Sequence, residues 1–344
     1  MYKNYRVVCN TAAGRRRYMQ YLFPPIIASD LVDRYDIWVN TNDPCDIEFF
    51  KQIAQKYPKV NLVWQPDGIV NGIKSINAFY KTCIEEDTIY IKLDDDVVWL
   101  EPDFFEKMLA FRIDNPDYFL VSPMVINNAI CTYVMQIFGK IKLSKYMNAR
   151  ANHSILWRSG VFAVHLHKWF LDNYLKTGRY KELYCGKIPI ATNRFSINSI
   201  LWFGSTMKQF DGIVLDDDEE YLSVIKPTQL NASNCLNCDA LISHFAFRPQ
   251  REYLDKKFIL EEYGVFLQEE WNNMPKISLI NKDIQLLMRE IKANESVLKL
   301  SKPIYREIKP TLKQKMKSNF KTLIRKLKLL VVIYTEKKYI TPQD

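Results

Sequence analysis

No stretch of this sequence offers the eighteen or so uncharged apolar residues that a membrane-spanning helix needs, so no such helix is expected. The opening Met1–Gly14 has no long apolar run ahead of a small-residue cleavage site. Arg15, Arg16 and Arg17 follow the first apolar run instead of preceding it, the wrong order for a secretory signal, and a cytoplasmic location is expected. The cysteines number seven, odd and scattered, which suits a reducing compartment better than a disulfide framework. Cys235 and Cys238 form a lone CxxC with no matching second pair nearby, which excludes a standard structural zinc site. The turn at Thr11–Arg17 has one glycine and no Gly-Lys-Ser/Thr, so it is not a Gly-rich phosphate loop. Internal repeats and a Gly-Ser linker are also missing.

What is present is enough for a normal globular core: 344 residues, of which 48% are hydrophobic and 25% charged. The net charge of +9 is carried entirely by residues 301–344, which hold twelve Lys or Arg against three Asp or Glu; the first 300 residues sum to zero. Arg6–Asn10, Asp36–Asn40, Val60–Trp64 and Thr88–Leu93 read as strands, and Arg15–Leu31, Asp46–Tyr57 and Asn71–Glu86 have helical length and spacing. This alternation predicts an α/β fold, with a mostly parallel sheet flanked by helices and right-handed crossovers. Further on, Tyr118–Ser122 and Gly160–His165 read as strands, Lys168–Lys176, Ser196–Phe203, Glu219–Ile225 and Gln250–Tyr263 as helices, Gly178–Pro189 as loop and Ala240–Phe247 as another apolar run. After Trp271 the composition turns to Lys, Leu and Ile without aromatic clusters. A catalytic domain is therefore expected over 1–270, with a nucleotide-binding half at 1–100 and a second half at 101–270, followed by a helical tail at 271–344.

The strongest local signal is Tyr90-Ile91-Lys92-Leu93-Asp94-Asp95-Asp96-Val97, an apolar strand running into three carboxylates. Adjacent like charges repel, and a divalent cation would remove that cost. Ligands of open α/β sheets bind beyond the carboxyl ends of strands, where this triplet falls. Residues two apart on extended chain share a face, so Asp94 and Asp96 are expected to act together on Mn²⁺ or Mg²⁺, cations that prefer oxygen ligands. This context resembles the DxD motif of nucleotide-sugar glycosyltransferases with the GT-A fold, of the bacterial surface-polysaccharide type. The likeness in layout covers roughly the first 265 residues. It implies that Asp96 binds the metal bridging the donor diphosphate, that Asp94, with Asp95 beside it, faces the nucleotide ribose, and that the donor is a nucleotide-diphosphate sugar, with UDP-sugar first in order.

The resemblance implies roles for other segments. Thr11 and Arg15 lie in the first βα turn, where phosphates are contacted; Asp43, in Asn40-Thr41-Asn42-Asp43, meets base or ribose, or else caps the next helix. Lys74 and Asn77 open the third helix near the donor. Asp216–Glu220 lies just before a helical stretch, where acids suit the positive helix end; the resemblance makes Asp218, Glu219 or Asp217 the base for the acceptor hydroxyl. His244, after an apolar run, would complete the metal shell. Trp157, Arg158, Arg194 and Trp202 are candidate acceptor contacts. The aromatic content, 13%, fits stacking on sugars as well as an aromatic core.

In the tail, Thr311–Tyr334 places apolar residues at steps of three and four, flanked by Lys and Arg. A basic amphipathic helix of this kind predicts an anionic membrane surface as partner, at the inner face of the cytoplasmic membrane. Nucleic acid is not expected, because the lysines are not interleaved with aromatic platforms. Together these readings predict a metal-dependent, inverting glycosyltransferase acting on a glycan or lipid-linked acceptor in surface-polysaccharide synthesis. The alternatives are a sugar-phosphate nucleotidyltransferase and a non-catalytic membrane-associated scaffold.

Overall fold

The computed structural model describes residues 1–307, apart from Asn71 and the side chains of residues 72 and 73. The predicted basic helix at 311–334 lies outside the described residues.

Strands β1 (Arg6–Ala13), β2 (Arg34–Val39), β3 (Val60–Trp64) and β5 (Thr88–Leu93) alternate with helices α1 (Arg16–Ala28) and α2 (Pro44–Lys56) and with a 3-10 helix, Gly72–Thr82. They form the parallel order β3-β2-β1-β5. The sheet continues through β9 (Ser199–Phe203), β7 (Val121–Ile126), β10 (Asn234–His244) and β6 (Val97–Leu100), with β8 (Lys187–Ala191) pairing β10. Strands β9, β6 and β8 run against the others, so the nine-stranded sheet is mixed but mostly parallel. Val, Ile, Leu and aromatic residues fill its central strands, and β5, β7 and β9 are buried along their whole length because helices cover both faces. Helix α1 packs on β6 and on the helix Pro275–Ala293, while α3 (Phe104–Asp114) packs on β9 and β10. This is the α/β class expected from the sequence.

Some elements differ from their local signals. Gly160–His165 is helix, part of Gly160–Phe170, because the Ser159 hydroxyl accepts from the Phe162 amide and caps it. The predicted helix Lys168–Lys176 is the end of this helix and a π turn, Leu171–Leu175. Ser196–Phe203 is the opposite case. It contains β9, which is held between β5 and β7, and partners on either side override a local helical pattern. The Gly178–Pro189 stretch contains a 3-10 turn, Tyr180–Leu183, and the start of β8.

A small parallel pair lies apart from the main sheet: β4 (Ile69–Val70) with β11 (Arg306–Glu307). Tyr305 fastens it. Its hydroxyl accepts from the Gln65 amide (2.9 Å), its amide donates to Asn42 Oδ1 (2.9 Å), and its carbonyl accepts from Asn42 Nδ2 (3.0 Å). Among the described residues no helix is long and apolar enough to cross a membrane.

Candidate active site

Two strand pairings assemble the site. The β5–β9 register sets Leu93 opposite Ser199, so Asn198 meets the acidic triplet: the Asp94 amide donates to the Asn198 carbonyl (2.8 Å), and Asn198 Nδ2 donates to Asp94 Oδ2 (3.1 Å). The β6–β10 pairing, with an irregularity between Ser243 and His244, sets His244 opposite Val97, directly after Asp96. The Phe245 amide donates to the Asp96 carbonyl (2.8 Å) and closes this corner.

Asp94, Asp96 and His244 offer one ligand atom each, all within 4.8 Å of one another; among the described residues they form the one such group. Asp96 and His244 are buried, and Asp94 is partly open. Asp96 divides its oxygens. Oδ2 faces Arg15 Nη1 at 3.0 Å, an ion pair short of hydrogen-bond geometry, and accepts from Arg251 Nη2 at 3.2 Å. Oδ1 faces His244 Nε2 at 3.4 Å. The other ring nitrogen, Nδ1, is 3.4 Å from the Asn127 carbonyl, which can only accept, so the proton belongs on Nδ1 and the Nε2 lone pair points at Asp96. Two acceptors facing each other are stabilised by a cation or a shared proton between them. Two carboxylates and a neutral imidazole fit a divalent cation of the Mn²⁺ or Mg²⁺ kind.

Burial opposes the charged form of Asp96, but the guanidinium groups of Arg15, first, and Arg251 outweigh it and hold the carboxyl well below the usual range. Asp95 points toward the first βα turn. It accepts from the Gly14 amide (3.1 Å) and from Arg15 Nε (2.9 Å) and Nη2, and its burial pushes its carboxyl up. Arg15 thus straddles two of the three acids.

Lys92, two residues before Asp94, is buried within β5. Its ammonium donates to Asp94 Oδ1 (2.5 Å) and to the Ile197 carbonyl (3.1 Å). On the same side lies Asp218, at the start of the short helix Asp218–Glu220. It is buried, it accepts from the Tyr80 hydroxyl (3.2 Å), and burial raises its carboxyl above the ordinary range, with Lys92 opposing. Asp216, Asp217 and Glu220 are exposed, whereas Glu219 is half-buried and burial raises its carboxyl as well. Arg194 donates to Asp217 (2.9 Å), Glu219 (2.9 Å) and Glu220 (2.8 Å) with its three nitrogens. Asp217 also caps the helix through the Glu220 amide. Of the five consecutive acids, Asp218 is the one whose charge acts on Lys92, the lysine that holds Asp94.

The remaining predicted residues are more dispersed. Asn77 Nδ2 donates to the Asp216 carbonyl (3.1 Å), which ties the third helix to the acidic loop, and Lys74 is exposed. Asp43 caps α2 through the Cys45 and Asp46 amides. Thr11 bonds the Tyr35 hydroxyl (2.9 Å) inside the core. Trp202 is wholly buried, stacked on Tyr90, whereas Trp157 stays partly open beside Phe247. The sequence reading missed Lys92, Asn198 and Arg251. A lysine inside an otherwise apolar strand was the one visible clue; Asn198 and Arg251 reach the triplet only through pairing and packing across more than a hundred residues.

No protein-family model matches the chain, and no curated protein matches it in sequence. Solved structures similar to it include a mycobacterial protein (12% identity over 78% of this chain and 74% of that one, TM-score 0.41) and CMP:2-keto-3-deoxy-manno-octonic acid synthetase complexed with CTP (10%, 78% and 100%, 0.40). Residues 1–349 of Staphylococcus aureus TarS are similar at 12% identity, with 78% and 72% covered and a TM-score of 0.40. Likenesses at this level assign no activity to the chain.

Proposed function

We propose that this chain is a metal-dependent glycosyltransferase that moves a sugar from a nucleotide-diphosphate donor, UDP-sugar first among the candidates, to a glycan or lipid-linked acceptor. One observation carries the reading: two carboxylates and an imidazole converge at the carboxyl end of β5, while a buried carboxylate, Asp218, waits at a helix start on the other side of Lys92. Asp96, Asp94 and His244 would hold Mn²⁺ or Mg²⁺, which when bound would supply positive charge for a departing nucleoside diphosphate. Arg15, the cation of the first βα turn that pairs with Asp95 and Asp96, would meet that diphosphate. Asp218 takes the acceptor hydroxyl proton as the oxygen attacks in line, which inverts the sugar's anomeric centre. Burial suits Asp218 to this task, because it makes the carboxylate a stronger base than one in water. Residues 1–270 carry the chemistry. The basic segment at 311–334 holds the enzyme on the anionic inner face of the cytoplasmic membrane, where surface polysaccharides are built.

The test is a thermal-shift screen of nucleoside diphosphates with and without Mn²⁺, followed by turnover of the best-binding nucleotide's sugars. The expected result is stabilisation that needs both metal and nucleotide and vanishes in Asp96→Ala. Release of pyrophosphate from a nucleoside triphosphate and a sugar phosphate would point instead to a nucleotidyltransferase. Stabilisation by no nucleotide would leave only a scaffold.

A further inference from the structure

Between Tyr118 and Leu171 the chain has no Asp or Glu, yet it has six Lys or Arg: Lys140, Lys142, Lys145, Arg150, Arg158 and Lys168. In a body whose first 300 residues are neutral in sum, this is a local excess of one sign. Lys168 pairs with Glu262. Lys140, Lys142, Arg150 and Arg158 make no ion pair among the described residues. Lys140 Nζ donates to the Glu182 carbonyl, and the Arg158 guanidinium lies 5.7 Å from the Trp157 ring centre.

All of these cations but Lys168 sit on one arch. It leaves the sheet after β7, runs through α4 (Ala129–Ile137) and returns by the short helix Ser154–Arg158. Met147 is wholly buried and clamped by Gln136, whose Oε1 accepts from the Met147 amide (3.0 Å) and whose Nε2 donates to its carbonyl (3.2 Å). At the far end the buried Gln250 donates to the Leu156 carbonyl (2.7 Å). Between these anchors Lys142, Arg150 and Tyr146 are exposed.

Both feet of the arch stand on the candidate site. Asn128, which caps α4, donates to Asn198 Oδ1 (2.9 Å), and Asn198 in turn holds Asp94. At the other foot, Trp157 lies 6.5 Å from Phe247, whose ring is 4.7 Å from His244. Gln250 accepts from the Phe247 amide and from Asn127, so the same side chain locks the arch to the His244 corner. Cations gathered on a segment that carries no acid of its own make a surface that attracts an anion.

We propose that this arch binds the acceptor, and that the acceptor is a polyanion bearing phosphate or carboxylate groups. The proposal rests on the transferase reading for the word acceptor, but not for the anion-binding surface itself. Long-chain inorganic polyphosphate is the probe, applied to the full chain in metal-free buffer, with amine acylation of individual lysines read by mass spectrometry. Polyphosphate should slow acylation of Lys142 and Lys145, and the double variant Lys142→Glu/Arg150→Glu should bind it about tenfold more weakly, as expected for charges at a polyanion surface. That comparison cancels the contribution of the basic tail, which both proteins share. Unchanged acylation of both lysines, or equal affinity of the variant, overturns the proposal. So does protection by phosphatidylglycerol vesicles with none from polyphosphate, which would make the arch a lipid contact. If the variant does not fold, the acylation pattern of the unmodified chain decides. Stabilisation by nucleoside diphosphate and Mn²⁺ is measured on parallel aliquots of the same protein with Mn²⁺ added. If it is present and the arch is inert, this proposal falls and the transferase stands; if it is absent and the arch is protected, a polyanion site remains without the donor chemistry.

Discussion

His167 is wholly buried, and both its nitrogens are engaged. Nε2 lies 2.8 Å from the Phe245 carbonyl and must carry the proton, so Nδ1 accepts from the Tyr263 hydroxyl at 2.9 Å. Burial lowers it from 6.5 to about 4. The unfolded chain therefore takes up a proton that the folded chain refuses. Stability is complete above the unfolded value and is lost as pH falls from there toward 4, by about 3 kcal/mol for this one group. Urea titrations between neutral pH and 4 should show that slope, and His167→Gln should flatten it. On the proposed reading, Asp96 serves metal and nucleotide binding and Asp218 serves the chemistry. Asp96→Ala leaves Arg251 without its counter-ion, while Arg15 keeps Asp95. Because both arginines retain some access to water, the stability loss should be about 2 kcal/mol, with metal-dependent nucleotide binding gone. Asp218→Asn should keep nucleotide binding and lose roughly 10²–10⁴-fold in turnover. With Asp218 raised by burial, kcat/KM should rise with pH through a value above the ordinary carboxylate range, and this limb should be missing in the variant.

At the scale of elements, close approach matters more than propensity. Gly204 follows β9 and opens the short helix Gly204–Lys208; a Cβ there would lie 1.9 Å from the Glu85 carbonyl oxygen. Backbone cannot yield as a flexible side chain does, so Gly204→Ala should cost about 1–3 kcal/mol, read as a lower urea midpoint with an unchanged m-value. The same crowding explains why Ser196–Phe203 defeats a local reading. Its pattern fits a short helix, but β5 on one side and β7 on the other offer backbone partners that a helix there would leave unpaired. Gly160–His165 fails in the other direction. An apolar run with β-branched residues looks like a strand until the capping hydroxyl of Ser159 and the length of the following helix are taken together.

On the scale of the whole molecule, residues near the described C-terminal end bind back onto the first half. The helix Pro275–Ala293 packs on α1 and α2, and Tyr305 joins Gln65 to the Asn42 loop. Gln65 Nε2 in turn donates to the Ser75 carbonyl, and the Ser75 hydroxyl bonds Asn40 Oδ1 (2.5 Å), so one tyrosine ties together the loops after β2 and β3 and the 3-10 helix. Tyr305→Phe leaves the Gln65 amide buried without its acceptor and should cost about 1–2 kcal/mol. Hydrogen exchange should locate the loss at Gln65 and Arg306 and leave the β1 amides protected.

The sequence by itself determined the α/β class, the first four main strands and the acidic triplet at the end of β5, because hydrophobic periodicity and a run of like charge are local properties. It also marked His244 and the Asp216–Glu220 cluster as places of interest. Only the tertiary structure decided which acid of that cluster turns inward, since Arg194 draws off Asp217, Glu219 and Glu220 and leaves Asp218 beside Lys92. The same holds for Asn198, brought to Asp94 by strand register, and for Arg251, brought to Asp96 from 155 residues away. Burial, register and the competition of neighbouring charges for one partner are properties of the assembled chain, and no window of adjacent residues contains them.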